Sequence, residues 1–134
     1  MINFIKIIYF IGFLYKTEGE KFMGNEIQII LRELGIGYTY RGYRSAVIAV
    51  SLAVEDENRL DSIVNNIYME TAKQTGVKWT AVERNIKTVI QRAWRTNPAR
   101  LCEISGYPLS KPPTVSEFID MMYNYVVRYS GSRR

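Results

Sequence analysis

Apolar side chains return every three or four residues along most of this chain, the spacing of helices that bury one face. The pattern is sharpest at its middle, where Trp79, Val82, Ile86, Val89, Ile90 and Ala93 gather on one side of a helix. At about 100° per residue, Thr80, Arg84, Lys87, Gln91 and Arg95 fall within about 60° of a common line on the opposite side. One face can be buried. The other is polar and basic, with side chains that can donate hydrogen bonds.

The residues before this helix have the spacing of a helix-turn-helix. Ala72 is small enough to let two helices approach, and Gly76 permits a left-handed turn. Val77 and Val82 are expected to plug the corner. One position departs from the pattern: Asn85 stands where an apolar residue is expected, and Ile86 takes that role one place later. The competing reading is an ordinary helix pair in an all-α core.

The rest of the chain reads as helices too. Ile2 to Tyr15 is strongly apolar but shorter than the roughly 20 residues of a membrane helix, and no small-residue cleavage site follows it. It reads as a packed arm or as residues preceding the domain, with a polar linker from Lys16 to Gly24. The domain itself is expected over 25–130. Asn25 and Gln28 suggest a capping box for a helix carrying Ile27, Ile30, Leu31 and Leu34, ended by Gly35. Tyr38 to Tyr40 suggests a short extended piece, and Arg41 to about Val54 a buried helix. A helix from about Arg59 to Gln74 should turn Leu60, Ile63, Val64, Ile67, Tyr68 and Ala72 inward. Asn97 and Pro98 start a short helix that Gly106 stops. Thr114 and Glu117 form a capping box for a last helix with Phe118, Ile119, Met122 and Val126 on its core face and Tyr125 and Tyr129 alongside. The tail from Gly131 is expected to fray. The fold class predicted is all-α, about six helices around a helix-turn-helix.

Charge distribution changes this picture more than composition does. Between residues 73 and 100, Lys73, Lys78, Arg84, Lys87, Arg92, Arg95 and Arg100 face Glu83 alone, a net of +6. The whole chain, with 18 basic and 13 acidic residues, nets +5, so everything outside that window nets −1. Basicity concentrated on one helix is the expected footprint of a phosphate-binding surface.

Other chemistry is thin. At 134 residues the chain can bury one domain's core. It has no histidine, which removes the commonest general base and a common metal ligand. No glycine-rich phosphate loop is present, and Glu55, Asp56, Glu57 and Asp61 lack the spacing of a calcium loop, reading instead as a solvated link. The lone Cys102 excludes an internal disulfide and is expected to be buried. No enzymatic activity, cofactor, metal or small-molecule substrate is expected, and the composition fits a cytoplasmic protein.

With these residues in hand, the chain resembles the C-terminal DNA-binding effector domains of the stage 0 sporulation protein A family of response regulators. The resemblance rests on Glu33-Leu34-Gly35-Ile36, Gly42-Tyr43, Asp61-Ser62-Ile63, Tyr68, Ala72-Lys73, Val82-Glu83-Arg84 with Ile86 and Ile90, Ala93-Trp94, Gly106-Tyr107, Lys111-Pro112-Pro113-Thr114 and Ser116-Glu117-Phe118-Ile119. It implies an all-helical domain that binds a short promoter box with the recognition helix in the major groove. On this analogy Glu83 and Arg84 match DNA-contacting positions, Lys87 replaces an arginine, and Thr88 stands where the family pattern has histidine.

The DNA-contacting set expected from face and family together is Lys78, Thr80, Glu83, Arg84, Lys87, Thr88, Gln91 and Arg95. The resemblance also implies RNA polymerase as a partner and a homodimer on tandem boxes, although divergence after Tyr43 leaves the polymerase contacts without assigned residues. The family's phosphate-accepting receiver domain is not recognisable before the first matching helix, so phosphorylation control is not expected to carry over. The alternative reading is a receiver-less interaction module that keeps the fold and titrates a regulatory partner.

Overall fold

The computed structural model describes residues 18–132, with side chains from 26 to 129. Among the described residues six α-helices follow one another: α1 Glu18–Glu33, α2 Tyr43–Glu55, α3 Met69–Thr75, α4 Trp79–Thr96, α5 Pro98–Ser105 and α6 Val115–Ser132. Among them there is no strand, and no helix is long and apolar enough to cross a membrane. The apolar stretch expected to form an arm lies outside the described residues.

Helix α2 is the hub, touching α1, α3, α4 and α6. Its buried face is built mainly of small side chains, Ser45, Ala46, Ala49 and Ala53, with Val50 and Leu52. Small residues let neighbouring helices close on it with little lost volume. The approach is close at the residue that precedes its first turn. Gly42 has φ +93°, and a Cβ there would overlap the backbone carbonyl of Asn85 and reach within 2.9 Å of the Val89 side chain. At Asn85, where the helix-turn-helix pattern expects an apolar residue, it is the backbone of α4 that meets Gly42.

Phe118, Ile119, Met122 and Val126 of α6 are all fully buried, as the spacing predicts. The capping box at the start of α6 forms. Glu117 N–H donates to Thr114 Oγ1 at 3.2 Å, and Thr114 N–H donates to Glu117 Oε1 at 2.9 Å. The bond from Thr114 N–H, with a smaller share from the Thr114 side chain, holds the exposed Glu117 carboxyl below its ordinary pKa.

Several local expectations need correction. Helix α1 runs from Glu18, so Asn25 lies inside it and is not its N-cap. Residues 38 to 40 form turns, with Tyr40 N–H donating to Gly37 O, and no extended piece. The helix expected from Arg59 is interrupted. Residues Glu57–Asp61 form a 3-10 turn, Ser62 breaks it, and Val64–Tyr68 is a π turn leading into α3. The wider turn shifts the register. Val64 is left 39% exposed, while Thr71, on no predicted apolar face, is fully buried. Arg59 donates to the Asn66 carbonyl within the π turn at 2.8 Å. Cys102 is half-buried, its sulfur accepting from Leu109 N–H at 3.4 Å. Helix α6 continues through Ser132, so Gly131 is helical rather than frayed.

Candidate nucleic-acid interface

The corner between α3 and α4 is made by Gly76. Its φ of +76° and ψ of 17° are left-handed, and its N–H returns to the Ala72 carbonyl at 2.8 Å, closing α3. Lys78 is extended, with φ −68° and ψ 151°, and α4 begins at Trp79. Lys78 offers no side-chain acceptor to the first N–H groups of α4. Ala81 N–H turns back to the Lys78 carbonyl at 2.9 Å, so the Trp79 and Thr80 N–H groups and the positive end of the helix dipole are left at the corner, an arrangement suited to a phosphate oxygen.

Val82, Ile86, Val89, Ile90 and Ala93 are buried. Val77 is not the plug that the spacing suggests, being 39% exposed. The corner closes instead on fully buried Val82 and on Trp79, whose indole stacks on the Tyr68 ring at 6.4 Å and 13°. Trp79 is thus an edge residue, 38% exposed.

On the other side of α4, Lys78, Thr80, Glu83, Arg84, Lys87, Gln91 and Arg95 are all exposed. Thr88 is half-buried and its hydroxyl donates to the Arg84 carbonyl at 3.1 Å, so that hydrogen is spent inside the helix. Among the described residues Lys78, Arg84, Lys87 and Arg95 have no ion-pair partner. Glu83 is close enough to Tyr68 for its carboxylate to add to the effect of burial. Together, with burial the larger cause, they push the phenol up to about 12, while hydrogen bonding with Ser116 works the other way.

The basic window divides in two. Arg92 is half-buried, donates from Nε to the Gly35 carbonyl at 2.8 Å, and lies 4.9 Å from the centre of the Tyr40 ring. Arg100 pairs with Glu33 at 3.1 Å and Glu103 at 3.2 Å, donates to Tyr125 Oη at 2.9 Å, and sits over the Tyr125 ring. Both cations are committed to tying α1, α4, α5 and α6 together. Lys73, Lys78, Arg84, Lys87 and Arg95 remain free to meet an anion, against Glu83. Tyr125 is likewise a packing aromatic rather than a surface for stacking bases.

One contributor escaped the sequence. Arg44 of α2 is exposed and reaches across to donate to the Gln74 carbonyl at 3.3 Å, capping the end of α3 beside the turn. It adds a cation to the corner from a residue 30 positions away, which no linear charge window includes.

A family model described as sporulation initiation factor Spo0A C terminal matches residues 27–126. The matched region takes in the hub helix, the helix-turn-helix and α6 as far as Val126.

Proposed function

This chain belongs to the sporulation initiation factor Spo0A C-terminal family, a family of DNA-binding transcription regulators and not of enzymes, and from that premise we propose that it reads a specific double-stranded sequence with the exposed face of α4. The observation that carries the proposal is the split of the basic window: the cations along one line of α4 are unpaired, while those off the line are spent on packing.

On this reading Arg84 is the central base-reading residue. It lies in the second turn of α4 and in the middle of the polar line, where a recognition helix reaches base edges. A guanidinium can grip guanine O6 and N7 together, and Glu83 can accept from cytosine N4. Thr80, Lys87 and Gln91 flank them along the groove, and Thr88 approaches with its methyl and oxygen rather than a free hydrogen. Lys78 at the start and Arg95 about four turns on meet phosphates. The proposal extends, on family analogy alone, to a second copy on a tandem box, to RNA polymerase as partner and to the cytoplasm as the place of action.

Selection from random duplex DNA tests this reading. Enrichment of one short box supports it. Recovery of no common sequence overturns sequence-specific reading and favours an interaction module that titrates a regulatory partner.

A further inference from the structure

A groove of about 520 Å³, open to solvent, lies where α3 meets the start of α4. Met69, Ala72, Val77 and Trp79 line it, together with Lys73, Lys78 and Thr80. Three of these apolar side chains are large and exposed: Met69 at 48%, Val77 at 39% and Trp79 at 38%. The fold gains nothing from leaving them in water, and apolar exposure concentrated in a concave site marks a contact surface.

The charged side chains that line the groove have one sign, and Glu83 lies one turn along α4 from Trp79. Lys73 and Lys78 are exposed and without ion pairs among the described residues. Arg44 brings a further cation to the end of α3. Glu70, on the same helix, is turned to Gln74, accepting from its Nε2 at 3.2 Å. The matching ligand therefore presents apolar side chains flanked by carboxylates.

Position separates this ligand from DNA. At about 100° per residue, Trp79 lies roughly 120° around α4 from the middle of the polar line. A duplex seated along that line leaves the groove open at its side, with Lys78 and Thr80 shared between the two surfaces.

We propose that this groove docks an acidic amphipathic helix of a partner protein. Its apolar residues, three and four apart, fill the space among Met69, Val77 and Trp79, and its carboxylates meet Lys73 and Lys78. Because Lys78 serves both surfaces, the docked helix weakens DNA binding, and DNA weakens docking by the same factor. Docking itself does not depend on the DNA reading, since it is measured without DNA.

The test is panning of a displayed library of random 18-residue peptides on the full chain, followed by affinity measurement of the enriched peptides. Expected are peptides rich in Asp and Glu with helically spaced apolar residues, binding about tenfold or more weakly to Met69→Glu. Lys73→Glu, a surface change that leaves the apolar floor intact, should weaken them by a similar factor. Amide shifts on binding should cluster between residues 69 and 80. Failure to enrich peptides, enrichment of peptides without acidic residues, or unchanged affinity in both variants overturns the proposal. Weakened duplex binding by Met69→Glu with no acidic peptide enriched also overturns it, and assigns the groove to DNA.

Discussion

Arg92 Nε donates to the backbone carbonyl of Gly35 at 2.8 Å, fastening the middle of α4 to the turn that ends α1. The guanidinium also covers the Tyr40 ring. An arginine of α4 is here a strut of the fold. Arg92→Ala should therefore lower stability by about 1.5–3 kcal/mol, the range for a hydrogen bond to a charged group. It should leave the ratio of specific to scrambled duplex binding unchanged. Denaturant unfolding and a competition assay on the same variant check both halves.

Salt dependence should divide the basic residues in the same way. Neutralising Lys78, Arg84, Lys87 or Arg95 should each reduce the log–log slope of affinity against salt by up to roughly 0.9, the value for one phosphate contact. Arg92→Gln and Arg100→Gln should leave the slope in place. A slope that falls equally for all six would mean that the committed cations also face the duplex.

Two glycines with similar backbone angles should respond differently to alanine. At Gly76 a Cβ would meet nothing within 4 Å, so Gly76→Ala carries only the left-handed backbone penalty of about 1–2 kcal/mol. At Gly42 the same penalty is joined by overlap with Asn85 and crowding of Val89, and overpacking adds typically about 1–3 kcal/mol. Thermal unfolding of the two variants side by side should rank Gly42→Ala well below Gly76→Ala.

The capping box of α6 should give stability an acid-sensitive component. The Glu117 carboxyl titrates below its ordinary value of 4.5 in the folded chain, because it accepts the Thr114 N–H. Its contribution is complete above the unfolded value and is lost as pH falls through the lower folded value. Glu117→Gln keeps an acceptor that does not titrate. Unfolding measured from pH 6 down to pH 3 should show a smaller loss in this variant than in the parent chain.

Much of this architecture is legible from spacing because each helix buries one face. The all-helical class, the amphipathic helix α4 and the capping box of α6 all follow from period and from local chemistry. What escapes is set by contacts between distant segments. The π turn at Val64–Tyr68 exposes Val64 and buries Thr71, and no 3.6-residue period anticipates it. Trp79 stacks on Tyr68 and takes up the corner that Val77 was expected to fill. The charge count includes Arg92 and Arg100 because sequence does not show that Gly35, Glu33 and Tyr125 come to meet them. Arg44 is the converse case, a cation brought to the site by the hub helix.

The division of labour along α4 is tested most directly by Arg84→Ala, set against Arg95→Ala, in competition between the selected site and a scrambled duplex. Arg84 stands unpaired in the second turn of the exposed face, so its loss should weaken the selected site by about 1–3 kcal/mol and relax preference at one base pair. Arg95→Ala should weaken both duplexes alike. If Arg84→Ala leaves the ratio of the two affinities unchanged while Arg95→Ala collapses it, the exposed face of α4 does not read DNA in the way proposed.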